Sequence, residues 1–166
     1  MLSPKLLAAL NEQINAELTS AYAYLAMAAH FETANLQGSA KWMRRQAREE
    51  QGHAMRLFDF VHDCDGRTAL HAIPQPQSTF ATTLEVWEIA LRQEQGITAG
   101  IHALLALAEE EKHYPTQVML HWFVTEQVEE EKTTKSILEQ VRSIGSSSSS
   151  IFYIDRHLGK EADKSA

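Results

Sequence analysis

The 166-residue chain has one cysteine, Cys64, so it can form no intrachain disulfide and no cysteine-based zinc site. Only 7 glycines and 4 prolines interrupt it, which leaves room for long regular elements. No apolar run approaches the roughly 20 residues that a membrane-spanning helix needs, so no membrane partner is expected. The opening Met1-Leu2-Ser3-Pro4 lacks the charged and apolar regions of a secretion signal, and the expected setting is the cytoplasm. Basic residues are also in short supply: 15 Lys and Arg stand against 22 Asp and Glu. The net charge of −7 argues against a nucleic-acid partner and suits a protein that attracts cations. What the chain does have is 44% hydrophobic residues, enough for one domain with a substantial core.

Those apolar residues recur at helical spacing, and the chain is expected to be all-α. Ser3 followed by Pro4 is a helix start, a side-chain cap before a residue pre-set for the first turn. The first seam runs Leu7, Leu10, Ile14, Glu17, Ala21, Tyr24, Ala28, Phe31. After a break at Asn35 to Gly38, the second runs Ala40, Met43, Ala47, Glu50, Ala54, Leu57, Val61, Cys64. Asp65-Gly66 stops that helix, and Pro74 and Pro76 keep the next stretch extended to about Thr82. A third seam follows with Leu84, Trp87, Leu91, Glu94, Thr98, Ile101, Leu105 and Ala108. Pro115 opens a fourth, carrying Leu120, Val124, Gln127, Thr134, Leu138 and Val141. Helices of roughly 40 Å result, and four of them pack as a bundle. The middle connection, about 18 residues at about 3.3 Å each, is long enough to cross the whole bundle. Helices two and three are therefore expected to run parallel, joined by a crossover. Gly145 and the serines from Ser146 to Ser150 look like a linker, but Ile151, Phe152, Tyr153, Ile154 and Leu158 are too apolar for a solvated tail. The expected division is a four-helix bundle over 1–145 and a short fifth helix with tail over 146–166.

The seams are interrupted by polar residues. Glu17, Glu50, Glu94 and Gln127 each take a core-facing position near the middle of a helix. An unpaired carboxylate there costs several kcal/mol, so a partner is needed. Arg44, Arg45 and Arg48 lie near Glu50 in sequence but mostly on other faces. A bound metal is the economical answer. His53 follows Glu50 by three residues and shares its face, and Glu130 follows Gln127 by the same step. Glu17 to Glu50 and Glu94 to Gln127 are both separations of 33, so the two halves pair as a pseudo-repeat. That arrangement brings all six groups to one level. Oxygen ligands with one imidazole suit a fairly hard cation, and iron fits better than zinc, which prefers a closed nitrogen and sulfur site.

With these residues in hand, the chain resembles the bacterial non-haem ferritins over nearly its full length. The likeness lies in Leu10-Asn-Glu-Gln-Ile-Asn-Ala-Glu17, Glu49-Glu50-Gln-Gly-His53, Glu126-Gln127-Val-Glu129-Glu130-Glu131 and Ile151-Phe-Tyr-Ile-Asp155. The resemblance implies a ferritin-like bundle that stores iron and oxidises Fe²⁺ with O₂ or H₂O₂ at a di-iron centre. One iron would be held by Glu17, Glu50 and His53, the second by Glu50 and Glu94 with Glu130. Gln127 would orient oxygen or water beside them, and Tyr24 would match the family's tyrosine near the centre. A third iron position would use Glu49, Glu126, Glu129 and Glu130. The resemblance further implies a hollow homo-oligomer of 24 subunits, its four-fold axis lined by the fifth helix. No haem is expected, because the position where bacterioferritin carries its haem methionine holds Gln51. The acidic positions that line three-fold channels in animal ferritins correspond to Gln117 and Leu120, which favours an iron route through the subunit wall. The alternative is a non-storage di-iron oxidase or peroxidase of the rubrerythrin type. Such proteins carry a second E-x-x-H, where this chain has Gln127-x-x-Glu130. The tryptophans Trp42, Trp87 and Trp122 read as packing residues.

Overall fold

The structure is a computed structural model that describes residues 1–145 and 148–164, with only the backbone at 148, 149 and 164. Ser146 and Ser147, where the expected linker begins, and the last two residues of the tail lie outside the described residues. Five helices follow in order: α1 Pro4–Thr33, α2 Gln37–Asp63, α3 Thr83–Glu110, α4 Tyr114–Ile144 and α5 Ser148–Lys164. None of them is long and apolar enough to cross a membrane.

Local chemistry sets the ends of these helices. The Ser3 hydroxyl accepts from the Leu6 N–H at 3.0 Å, and Pro4 occupies the first turn of α1. At α3, Thr82 accepts from the Glu85 N–H at 3.1 Å. Glu85 in turn accepts from the Ala81 N–H at 2.6 Å, so two orphan donors are satisfied by one short motif. The first three helices end alike, with Asn35, Asp65 and Lys112 in the left-handed region. In each case that residue's own N–H and the next one fold back on the last turn, as in Leu36 to the Phe31 carbonyl at 2.9 Å and Gly66 to the Val61 carbonyl at 2.8 Å. The stop at Asp65-Gly66 therefore works differently from a glycine cap: Asp65 takes the left-handed turn. Gly66 is needed because a β-carbon there would crowd the Val61 carbonyl.

Contacts between helices give the direction of each. Tyr24 lies beside Trp42 and Glu17 beside His53, so α1 and α2 are antiparallel. Ser20 meets Gln93 and Gln13 meets Gly100, so α3 is also antiparallel to α1. Helices α2 and α3 thus run parallel, and residues 66–82 make the crossover without helix or strand. Buried Asn11 pins its start, donating to the Arg67 carbonyl at 3.2 Å and accepting from the Ala69 N–H at 2.9 Å.

Each bundle helix buries a wider stripe than a two-in-seven seam, as expected when several neighbours share one core. Leu6 is buried where Leu7 was expected, and Val86, Ala90, Ile97 and Leu104 carry much of the α3 face. Leu7, Cys64, Leu84, Leu91, Thr98, Leu105 and Val124 are only half-buried. The apolar core falls into two blocks. One holds Tyr24, Phe31, Trp42, Trp87 and Leu138 and is joined by Ile154 and Leu158 of α5. The other holds Leu10, Ile14, Leu57, Ile101 and Phe123.

Helix α5 lies against α2 and α4. The N-terminus of α2 has no side-chain cap of its own. Asp155 supplies it from α5, accepting from the Gly38 N–H at 3.0 Å, the Ser39 N–H at 2.7 Å and the Ser39 hydroxyl at 2.8 Å. The negative charge sits where the α2 dipole favours it. Gly38 has no room for a side chain, because a β-carbon would overlap the Asp155 backbone.

Candidate metal centre

A layer of polar side chains separates the two apolar blocks. Glu17, Glu50 and Glu94 are 0% exposed, and His53, Gln127 and Glu130 are buried beside them. All six residues expected to converge from the seam interruptions are therefore enclosed at mid-bundle.

Their oxygens divide into those already held by donors and those left free. Gln13 donates from Nε2 to Glu17 Oε1 at 2.8 Å, and Glu17 Oε2 has no hydrogen-bond partner. Gln46 donates to Glu130 Oε2 at 2.9 Å. Both Glu94 oxygens are engaged, one by the Tyr24 hydroxyl and the other by Gln127 Nε2 at 3.3 Å. Gln127 also donates to the Glu94 carbonyl and reaches Thr98 Oγ1, each at 3.3 Å. Neither Glu50 oxygen has a partner, and nor does His53 Nδ1.

The free atoms face one another. His53 Nδ1 lies 3.8 Å from Glu50 Oε1 and 4.0 Å from Glu17 Oε2. Glu17, Glu50 and His53 each offer a ligand atom within 4.8 Å of the others. A second such group joins His53 to Glu126 and Glu130. Buried oxygens and an imidazole nitrogen that lack donors, aimed at one space, form the donor set that a divalent cation satisfies, and iron is among the cations this set suits. Glu94 stands apart from both groups, because its carboxylate is turned to Tyr24 and Gln127.

Among the remaining candidates, Glu49 is half-buried and lies 3.5 Å from the Arg45 guanidinium. Glu129 is exposed, with Lys132 at 3.7 Å. Leu120 is fully buried in the apolar block, and Gln117 donates to the Ala108 carbonyl at 3.0 Å. Sequence reasoning missed Gln13 and Gln46. Helical spacing held a partial signal for Gln13, which sits four residues before Glu17, a reachable pair on one helix face. It also missed the aromatic wall. Trp122 and Phe123 meet the His53 ring at centroid distances of 5.4 and 5.9 Å, and Arg56 covers Trp122 at 4.2 Å.

Burial dominates the electrostatics. It pushes the Glu17 carboxyl from 4.5 up to about 7, against the Gln13 hydrogen bond that favours the charge. It raises Glu130 to about 8, with help from the neighbouring Glu94. Glu50 is raised well above the ordinary range and Glu94 is raised, both chiefly by burial. The Tyr24 hydroxyl is raised well above 10 by burial and then by Glu94. Burial, aided by Arg56, lowers His53 to about 4. The metal-free layer thus favours protonated acids and a neutral imidazole.

A stability test follows, with its sign set by linkage. Acids raised on folding stabilise fully below 4.5, and that contribution is lost as pH rises through about 7 for Glu17 and about 8 for Glu130. His53, lowered on folding, acts oppositely, losing its contribution as pH falls from 6.5 through about 4. Above pH 6.5 the His53 contribution is largely in place, so within this layer the slope up to pH 8 comes from the acids. Thermal unfolding of chelated protein, followed by circular dichroism, is expected to show a falling midpoint across that window. A saturating divalent metal should flatten the slope, and an equal slope with and without metal would contradict this account.

A long crossover between parallel helices, with a carboxylate and imidazole layer inside the bundle, is the architecture of the ferritin-like proteins. Residues 7–144 match the ferritin-like domain family. A bacterial non-haem ferritin from Staphylococcus haemolyticus is 36% identical over 158 residues, covering 95% of each chain. Another from Staphylococcus saprophyticus is 37% identical, again over 95% of each. The chain belongs to the bacterial non-haem ferritin family. Among solved structures, an open-pore ferritin from the hyperthermophilic archaeon Archaeoglobus fulgidus superposes with a TM-score of 0.94 at 42% identity, over 96% of this chain and 98% of that one. An engineered closed form of the Archaeoglobus fulgidus ferritin matches with a TM-score of 0.94 at 42% identity, over 96% and 97%.

Proposed function

We propose that this chain stores iron and is a ferroxidase, oxidising Fe²⁺ at a two-iron centre within each subunit and retaining the ferric product inside an oligomeric shell. The observation that carries the reading is the unpartnered cluster of Glu17 Oε2, both Glu50 oxygens and His53 Nδ1, buried between two apolar blocks. Burying such a cluster costs free energy that a bound cation offsets.

In this reading Glu17, Glu50 and His53 hold the first ferrous ion. Glu50, with both oxygens free, bridges to a second ion held by Glu94 and Glu130. Gln127 and Tyr24 set the orientation of Glu94, and Gln127 keeps its carbonyl oxygen unpartnered for water or oxidant. Each ferrous ion gives one electron. A pair reduces O₂ to H₂O₂ with two protons, or H₂O₂ to two waters with two protons. Glu49, Glu126, Glu129 and Glu130 form a third iron position, and Glu126 and Glu130 already share the second ligand group with His53. The bundle over 1–145 carries the chemistry, and the segment over 146–166 serves assembly. A cytoplasmic setting accords with the free thiol of Cys64.

Purified protein given Fe²⁺ in an oxygen electrode is expected to consume O₂ in a rapid phase that saturates near two irons per chain. Consumption no faster than that of Fe²⁺ in buffer would sink the ferroxidase. Assembly is tested separately: 24 chains of 18.7 kDa give about 450 kDa by light scattering. A mass near that of a monomer or dimer would remove the storage shell. Open-pore and closed forms of the Archaeoglobus relative are both described, so shell closure is a property to be measured here and not assumed.

A further inference from the structure

Gln13 lies on α1 four residues before Glu17 and is buried, with its amide in the contact between α1 and α3. Gly100 of α3 makes that contact possible. A β-carbon at Gly100 would overlap the Gln13 carbonyl oxygen, so the side chain is wedged against bare backbone. The wedge aims Nε2 at Glu17 Oε1, 2.8 Å away. A carboxylate accepts and cannot donate, so the amide nitrogen must face it. One oxygen of Glu17 is thereby occupied, and only Oε2 remains toward His53 and Glu50.

We propose that Gln13, seated on Gly100, is a positioning residue that makes Glu17 present a single oxygen to the first metal ion. The proposal rests on the ferroxidase reading of the site. An untethered carboxylate can turn and chelate with both oxygens, filling a second coordination position. Tethered at Oε1, Glu17 keeps that position open to oxidant. Gln46 stands in the same relation to Glu130, donating to Oε2 from the other side of the layer. The two amides therefore act on different ligands.

The test uses Co²⁺, whose visible absorption reports coordination and needs no turnover. Full-length wild type, Gln13→Met, Gly100→Ala and Gln46→Met are titrated, with circular dichroism as the check on folding. Loss of an outer partner of a metal ligand costs about 10–100-fold in affinity. Gln13→Met is expected to weaken the first Co²⁺ equivalent about tenfold and to change its band shape. Gly100→Ala keeps every donor and displaces only the Gln13 amide, so it should move both readouts in the same direction. Gln46→Met should weaken the second equivalent more than the first. If Gln13→Met does not fold, Gly100→Ala decides. Wild-type affinity and spectrum in the folded variant would overturn the positioning role while leaving the ferroxidase reading intact. Failure of wild type itself to bind Co²⁺ would overturn both.

Discussion

Glu50→Ala is expected to abolish the rapid phase of ferrous oxidation, lowering the initial rate about a hundredfold or more. Among the described residues, Glu50 is the only acid of the layer with both oxygens buried and without a hydrogen-bond partner, and in the proposed mechanism it touches both ions. Losing a group shared by two cations removes about 3 kcal/mol or more of transition-state stabilisation, which is the stated factor. The companion variant Glu50→Gln separates chemistry from folding. Burial holds the Glu50 carboxyl well above the ordinary range, so the metal-free protein favours its neutral form over the charged one more than water does. Glutamine has the same shape and no charge, and should leave metal-free stability at pH 7 no lower than that of wild type. Oxidation should still fall steeply, because a neutral amide cannot balance two cations. Stopped-flow absorbance after mixing with Fe²⁺ in air measures the rate, and thermal unfolding in chelator measures stability. A Glu50→Ala protein that keeps the wild-type rapid phase would place the chemistry elsewhere.

Gly38→Ala is expected to leave the four-helix bundle folded and to release α5 from it. The added β-carbon would fall 1.7 Å from the Asp155 carbonyl oxygen and 2.9 Å from the Gly159 nitrogen. Both are backbone atoms, so no rotamer change relieves the clash, and the helices must part. The cap that Asp155 gives to α2 is lost with the contact, at a cost of about 1–2 kcal/mol. Ile154, Leu158 and Ala162, all buried, would then be exposed to water. Phe152 and Tyr153 project outward, Tyr153 at 79% exposure, so undocking also scatters the exposed apolar groups that α5 carries. On the proposed 24-chain assembly, light scattering should show a shift from about 450 kDa to small species, with helix content near wild type. Asp155→Ala should act in the same direction more weakly, because it removes the cap without a clash. An intact shell for Gly38→Ala would mean that α5 docking is dispensable for assembly.

Much of the site could be read from the chain because a core helix has so few reasons to bury an acid. Glu17, Glu50 and Glu94 interrupt apolar seams that are otherwise regular, and the structure encloses all three completely. The crossover was legible for a similar reason, since the stretch between Gly66 and Thr82 is too long for a tight turn and carries Pro74 and Pro76. Gln13 and Gln46 were not legible in the same way. Glutamine is at home anywhere on a helix, and their partners depend on which helices touch, as with Gln46 and Glu130, 84 residues apart. The Asp155 cap was hidden for the same reason, since its acceptor role exists only once α5 has docked. The surroundings of Glu94 illustrate a further limit. Its place in the seam set it among the expected ligands, but the hold that Tyr24 and Gln127 keep on both its oxygens belongs to tertiary packing.

The split core has a consequence for how such subunits diversify. Packing changes in well-separated regions add nearly independently. The two apolar blocks lie on either side of the polar layer, so a substitution in one leaves the packing of the other largely as it was. Sequence drift within either half can therefore proceed without moving the acids at the waist between them.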